Sequence, residues 1–164
     1  MKILVTESQY NKILKEEEEQ KVLRIPSLKL FSGDWDLLQK FLKHRGNPPY
    51  TLGGDLELRG KAIKSLGNLI SVEGDFVLLN TSIESLGNLT SVWGSLDLEN
   101  TPIESLGNLQ SVGGNLYLVG TLIESLGNLQ SVGGNLDLRY TPLSKKYTEE
   151  QIREMVGVGG YIYL

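Results

Sequence analysis

The chain has 164 residues, 40% of them hydrophobic, which suits one globular domain with its own core rather than a disordered chain. It holds no cysteine and one histidine, His44, which excludes a disulfide framework, a thiolate metal site and an imidazole cluster. A formal net charge of −4 with no basic stripe speaks against a nucleic-acid partner.

Residues 1–22 read as an N-terminal arm. The opening MKILV suits a short strand, and Thr6 with Gln9 makes a capping box for a helix with Tyr10, Ile13 and Leu14 on its apolar stripe. The four glutamates from Glu16 to Glu19 read as its solvated end. The apolar opening is too short for a signal peptide, and no stretch approaches the roughly 20 apolar residues of a membrane span. The expected location is the cytoplasm, or a virion or host cell if the gene is phage-borne. Residues 23–51 read as a helical N-terminal cap. Its helix runs over about 34–44, with Asp34 or Ser32 as N-cap, and Trp35, Leu37, Leu38, Phe41 and Leu42 facing inward. Gly46 stops it, and Asn47-Pro48-Pro49 leads onward.

Residues 52–140 repeat with a period of twenty. The four blocks KAIKSLGNLISVEGDFVLLN, TSIESLGNLTSVWGSLDLEN, TPIESLGNLQSVGGNLYLVG and TLIESLGNLQSVGGNLDLRY align without gaps from Lys61 to Tyr140. In the third block, Leu116 and Leu118 alternate as in a strand, with Tyr117 on the other face. Ile103, Leu106, Leu109 and Val112 suit a coil that turns inward about every third residue. One such unit cannot enclose its apolar residues, but stacked units bury them as one column, the organisation of a solenoid. Gly54, Gly74, Gly94, Gly114, Gly134 and Gly160 precede the strands, where a turn with positive φ is expected. Asn68, Asn88, Asn108 and Asn128 form an expected amide ladder between coils. A column of threonines, Thr81, Thr101, Thr121 and Thr141, is expected to do the same with hydroxyls.

Leu109, Val112, Leu116, Leu118, Thr121 and Ile123 are spaced in a way that resembles the core pattern of the leucine-rich-repeat family. The chain departs from that pattern where Thr replaces the usual Asn, and its short unit leaves no room for a full helix on the convex side. The repeats are also similar to glycine-rich, short-period repeats of bacterial and viral proteins. The resemblance spans residues 52–164 and implies an α/β repeat fold. That fold would be a leucine-rich-repeat-type solenoid with a parallel sheet on one face and helical N- and C-terminal caps. It implies no particular activity, because the fold is a generic scaffold.

Residues 141–164 read as a helix-plus-strand C-terminal cap. From Leu136 to Ile162 is six residues more than one period, and the insertion holds the capping box of Thr148 and Gln151, then Ile152, Met155 and Val156. Tyr161, Ile162, Tyr163 and Leu164 form a final strand.

No catalytic constellation, H-E-x-x-H or EF-hand loop is present, and no cofactor is expected. The glycines before Lys61 lack phosphate-loop spacing, and Ala62 stands where Ser or Thr is needed. Glu84, Glu104 and Glu124 read as a solvated column. Three columns line the outer strand face. The first is Asp55, Asp75, Ser95, Asn115, Asn135 and Tyr161. The second is Glu57, Val77, Asp97, Tyr117, Asp137 and Tyr163. The third is Arg59, Leu79, Glu99, Val119 and Arg139. Variation over a constant core is the pattern of a recognition surface for a protein partner, with Val77, Asp97, Tyr117, Asp137 and Tyr163 as the expected contacts, and drift at unconstrained positions gives the same pattern. The alternative expectation is self-assembly into head-to-tail oligomers or filaments. There, Ile3, Leu4 and Val5 of one subunit would pair with Tyr161, Ile162, Tyr163 and Leu164 of the next.

Overall fold

Each twenty-residue coil closes because its apolar residues all turn toward one axis. The computed structural model describes residues 22–164, and they wind as a parallel β-solenoid. Residues 1–21, including the expected strand with Ile3, Leu4 and Val5 and the helix after it, lie outside the described residues.

The chain opens with β1 (Leu23–Ile25), a 3₁₀ turn (Leu28–Phe31) and helix α1 (Trp35–His44). Then come β2 (Tyr50–Leu52), β3 (Leu56–Glu57), β4 (Leu69–Val72) and β5 (Phe76–Val77). The regular coils give β6 (Ser91–Val92), β7 (Leu96–Asp97), β8 (Ser111–Val112), β9 (Leu116–Tyr117), β10 (Ser131–Val132) and β11 (Leu136–Asp137). Helices α2 (Pro142–Lys146) and α3 (Glu149–Met155) precede β12 (Gly157–Val158) and β13 (Ile162–Tyr163).

These strands form two parallel sheets, where the sequence pattern led us to expect one. The first runs β1-β2-β4-β6-β8-β10-β12, and the second runs β3-β5-β7-β9-β11-β13. The second is the expected Leu-x-Leu sheet, with Leu56, Phe76, Leu96, Leu116, Leu136 and Ile162 in register. The first sheet arises because the Ser-Val dipeptides also stack, aligning Val72, Val92, Val112, Val132 and Val158. Two-residue strands leave no alternation to read, so the spacing of three from Leu109 to Val112 looked like coil. Leu23–Ile25, placed in a helical cap by the sequence reading, is also a strand, in register with Tyr50–Leu52.

The core is one continuous cluster from Ile25 to Ile162. Helix α1 starts as expected, the Asp34 carboxylate accepting from the amides of Asp36 and Leu37 at 2.9 and 3.1 Å. Trp35, Leu38 and Leu42 are buried, whereas Leu37, expected inside, is exposed. Helices α2 and α3 replace the extended arc of the last coil. The capping box forms, with Thr148 N–H donating to Gln151 Oε1 at 2.9 Å and Gln151 N–H to Thr148 Oγ1 at 3.3 Å. Ile152 and Val156 are buried, but Met155 is not. Neither helical segment is the outermost layer of the first sheet, whose end strands are β1 and β12. The helices are inserted between coils and do not close the ends as lids, which corrects the expectation of helical caps.

The glycines before the second-sheet strands serve a purpose other than the expected one. Gly54 has a φ of +70°, but Gly74, Gly94, Gly114, Gly134 and Gly160 do not have positive φ. They leave space for the preceding coil. A Cβ at Gly94 would lie 2.6 Å from the Gly74 carbonyl carbon and 2.7 Å from the Asp75 nitrogen. Left-handed backbone falls instead at the corners after those strands, at Gly60, Asn80, Asn100, Gly120 and Tyr140. The asparagine ladder forms in part. Asn88 Nδ2 donates to Asn68 Oδ1 at 3.1 Å, Asn68 Nδ2 to the Asn47 carbonyl at 2.6 Å, and Asn108 Nδ2 to the Gly87 carbonyl at 3.0 Å. The threonines do not bridge coils. Thr101, Thr121 and Thr141 donate to carbonyls three residues back in their own coil, at 2.7, 2.7 and 2.6 Å.

Gly94→Ala should lower stability by about 1–3 kcal/mol, the usual effect of forcing atoms into a packed interior. The measurement is urea unfolding followed by circular dichroism. Adding Asp75→Ala should not restore the loss, because the Gly74 and Asp75 backbone stays in place.

Candidate functional site

The second sheet turns its leucines inward and every second residue outward, so the three outer columns expected from sequence do form on one face. Their roles differ.

The first column is structural. The Asp55 carboxylate accepts from the Asp75 amide at 2.9 Å, Asp75 from Ser95 at 2.7 Å, and the Ser95 hydroxyl from Asn115 at 3.1 Å. Asn115 Oδ1 then accepts from Asn135 at 2.8 Å, and Asn135 Oδ1 from Tyr161 at 2.8 Å. Each side-chain oxygen meets the amide one coil on, so these residues are spent holding coils together. The signal was available in the sequence. Every occupant through Asn135 is a short side chain with an acceptor oxygen, and every one follows a glycine.

The second column carries the exposed chemistry unevenly. Val77, Asp97 and Tyr117 are half-buried neighbours in register, in a row about 4.8 Å per step. The Tyr117 hydroxyl accepts from Asn115 Nδ2 at 3.0 Å. Asp97 Oδ1 accepts from the Glu99 amide at 3.0 Å. Asp137 is different. It is 4% exposed and held by Arg139, whose Nε lies 2.9 Å from Oδ1 and whose Nη2 lies 2.6 Å from Oδ2. The Arg139 guanidinium also stands over the Tyr163 ring at 5.6 Å, and the Tyr161 and Tyr163 rings are 6.4 Å apart. Asp137 therefore offers little surface to a partner, while Tyr161, Tyr163 and Leu164 remain exposed. Ile162 belongs to the core at 8% exposure.

Rows across the face alternate in character. Glu57 with Arg59, Asp97 with Glu99, and Asp137 with Arg139 are charged, while Val77 with Leu79 and Tyr117 with Val119 are apolar. Glu57 and Arg59 pair loosely at 3.7 Å, and Asp137 and Arg139 pair closely. The central row has no cation of its own. Partial burial raises the Asp97 carboxyl above its ordinary range, opposed by the Glu99 amide and Arg59 and assisted by Glu57. Burial also raises Glu99, with Asp97 and Asp137 adding to the effect and Arg139 opposing it.

Elsewhere, Glu84, Glu104 and Glu124 are all exposed, and no group of three or more potential metal ligands occurs among the described residues. No helix among them is long and apolar enough to cross a membrane. Tyr50 is fully buried, its hydroxyl donating to the Leu66 carbonyl at 2.8 Å and accepting from Gln39 at 3.0 Å, and burial pushes its phenol upward.

Fold and face together define a repeat protein of the parallel β-solenoid class. No protein-family model matches the chain, and neither the curated proteins nor the solved structures give a significant match.

A raised carboxyl favours the protonated form in the folded chain, so the folded state binds protons more readily there than the unfolded one. Stability from this source is fully present at low pH and falls as pH rises from the unfolded value through the folded value of Asp97. Asp97→Asn should therefore raise the melting temperature at pH 7, since the amide keeps an acceptor for the Glu99 N–H. The gain should vanish as pH drops below the carboxylate range, measured by thermal unfolding at a series of pH values.

Proposed function

We propose that this chain is a non-enzymatic protein-interaction module whose second-sheet face receives a protein partner. The observation that carries this reading is the middle of that face. Val77, Leu79, Tyr117 and Val119 flank Asp97 and Glu99, and neither carboxylate forms an ion pair among the described residues. An aromatic and aliphatic side chains beside uncompensated charge are the composition of an interface anchor. Asp137 and Tyr163 belong to the rim of this surface, the first supporting it from beneath Arg139.

A second reading is self-association into head-to-tail oligomers or filaments through the terminal strands. It draws on β12 and β13 each having one neighbouring strand, and on the exposure of Tyr161, Tyr163 and Leu164. The Ile3–Val5 half of that contact lies outside the described residues. Descent from the leucine-rich-repeat family is likewise a proposal. The leucine spacing supports it, and the additional sheet of Ser-Val strands, the first, weighs against it.

Tyr117→Ala combined with Asp97→Ala should reduce capture of a binding partner by at least about tenfold, as loss of a hot-spot pair does. The check is affinity capture with the full chain as bait, beside a control variant at Ser111 on the first sheet. Undiminished capture by the double variant would refute the face as the binding site.

A further inference from the structure

The last coil differs from the others in what its carbonyls meet. In the first sheet, a coil's valine carbonyl accepts the amide of the residue at the next coil's corner. Val92 accepts from Gly113 at 2.8 Å, Val112 from Gly133 at 2.8 Å, and Val132 from Gly159 at 2.9 Å. Two residues on, each glycine carbonyl does the same. Gly94 accepts from Gly114 at 2.9 Å, Gly114 from Gly134 at 2.8 Å, and Gly134 from Gly160 at 2.9 Å. With the Thr90, Gln110 and Gln130 carbonyls, which accept from Gln110, Gln130 and Gly157, these paired acceptors are the seat on which the following coil sits.

In the last coil the corresponding residues are Val158 and Gly160, and both carbonyls are occupied by one side chain. Arg153 Nη1 donates to the Val158 carbonyl at 3.1 Å, and Nη2 to the Gly160 carbonyl at 2.9 Å. The guanidinium reaches them from α3, which packs beside β12, and is tethered by Glu149. Arg153 Nε lies 3.0 Å from Glu149 Oε1 and Nη2 lies 2.9 Å from it. A planar fork of N–H donors thus takes the place of two backbone amides.

We propose that Arg153 is a plug that closes this end of the solenoid against a further coil, the occupant excluded being a strand edge of a second copy of this chain. An open parallel edge is a template for pairing, and proteins protect such edges with charge or with an overlying element. Here a cation carried on an inserted helix supplies the charge, and it takes two of the acceptors that docking would require. The second sheet is not closed in this way. In earlier coils the amides of Leu136 and Leu138 donate to the Tyr161 and Tyr163 carbonyls, and the matching amides of Ile162 and Leu164 lie at the outer edge of β13. A second copy can approach that edge but cannot seat a whole coil while the guanidinium is in place. This inference is independent of the binding-face reading and runs against the self-association reading, which needs this end open.

The test compares the full-length wild type, Arg153→Met and Thr148→Ala by light scattering over a concentration series, with circular dichroism confirming that each is folded. Thr148→Ala weakens the same helix but leaves the guanidinium in place. The weight-average mass of Arg153→Met should climb at least about twofold with concentration, as pairing with a second copy requires, while the other two stay constant. An unchanged mass for folded Arg153→Met overturns the proposal, as does an equal climb in the wild type or in Thr148→Ala. Where Arg153→Met does not fold, Glu149→Ala carries the test, because it frees the guanidinium from its tether. A climb smaller than twofold supports the plug, and none refutes it.

Discussion

The structure depends on one hydrogen bond repeated along the axis, from a backbone amide to a side-chain oxygen in the preceding coil. The strands are two to four residues long, too short to hold one another by their own ladders alone. The oxygens of Asp55, Asp75, Ser95, Asn115 and Asn135 add a further contact per coil at the corner where the chain enters the second sheet. That contact needs room, and the glycine just before each donor supplies it. Acceptor and glycine are thus one device shared between adjacent coils. Leaving such an amide unpaired would cost about 1–3 kcal/mol where water is excluded.

This device explains why the outer face has free positions at all. With the first column committed to holding coils, the second and third can vary, and they alternate between charged and apolar rows. Where charges vary they are either paired on the spot, as Asp137 and Arg139 are, or left uncompensated, as Asp97 and Glu99 are. The second arrangement costs stability in the isolated chain, because partial burial acts on both carboxylates, with repulsion from Glu57 on Asp97 and from Asp97 and Asp137 on Glu99. Surfaces that bear such a cost are where recognition is expected.

Much of this was legible in the sequence. The period, the inward leucines, the helix from Trp35 and the capping box at Thr148 all followed from spacing and capping chemistry. What was hidden had a common cause, since a repeat shows which residues recur but not which neighbour each one meets. The asparagines of the Gly-Asn-Leu motif and the residues after the later glycines are equally periodic, yet only the latter form an unbroken ladder. The threonines looked able to bridge coils, yet Thr101, Thr121 and Thr141 bond within their own and the buried Thr81 hydroxyl has no partner among the described residues. The first sheet escaped notice because a Ser-Val pair has no alternation to display. Asp137 looked like a contact residue because nothing in the spacing reveals that Arg139 folds over it.

The ladder has a direction, since each coil offers the oxygen and the coil after it brings the amide and the glycine. A nascent chain emerging from a ribosome presents these parts in that order, so every new coil meets a seat already made. Growth from the other end would bring donors before any acceptor existed. The same polarity restricts how such a gene can change length. A gain or loss of one whole coil keeps every glycine facing an oxygen, while a shift of a single residue misaligns all the coils beyond it.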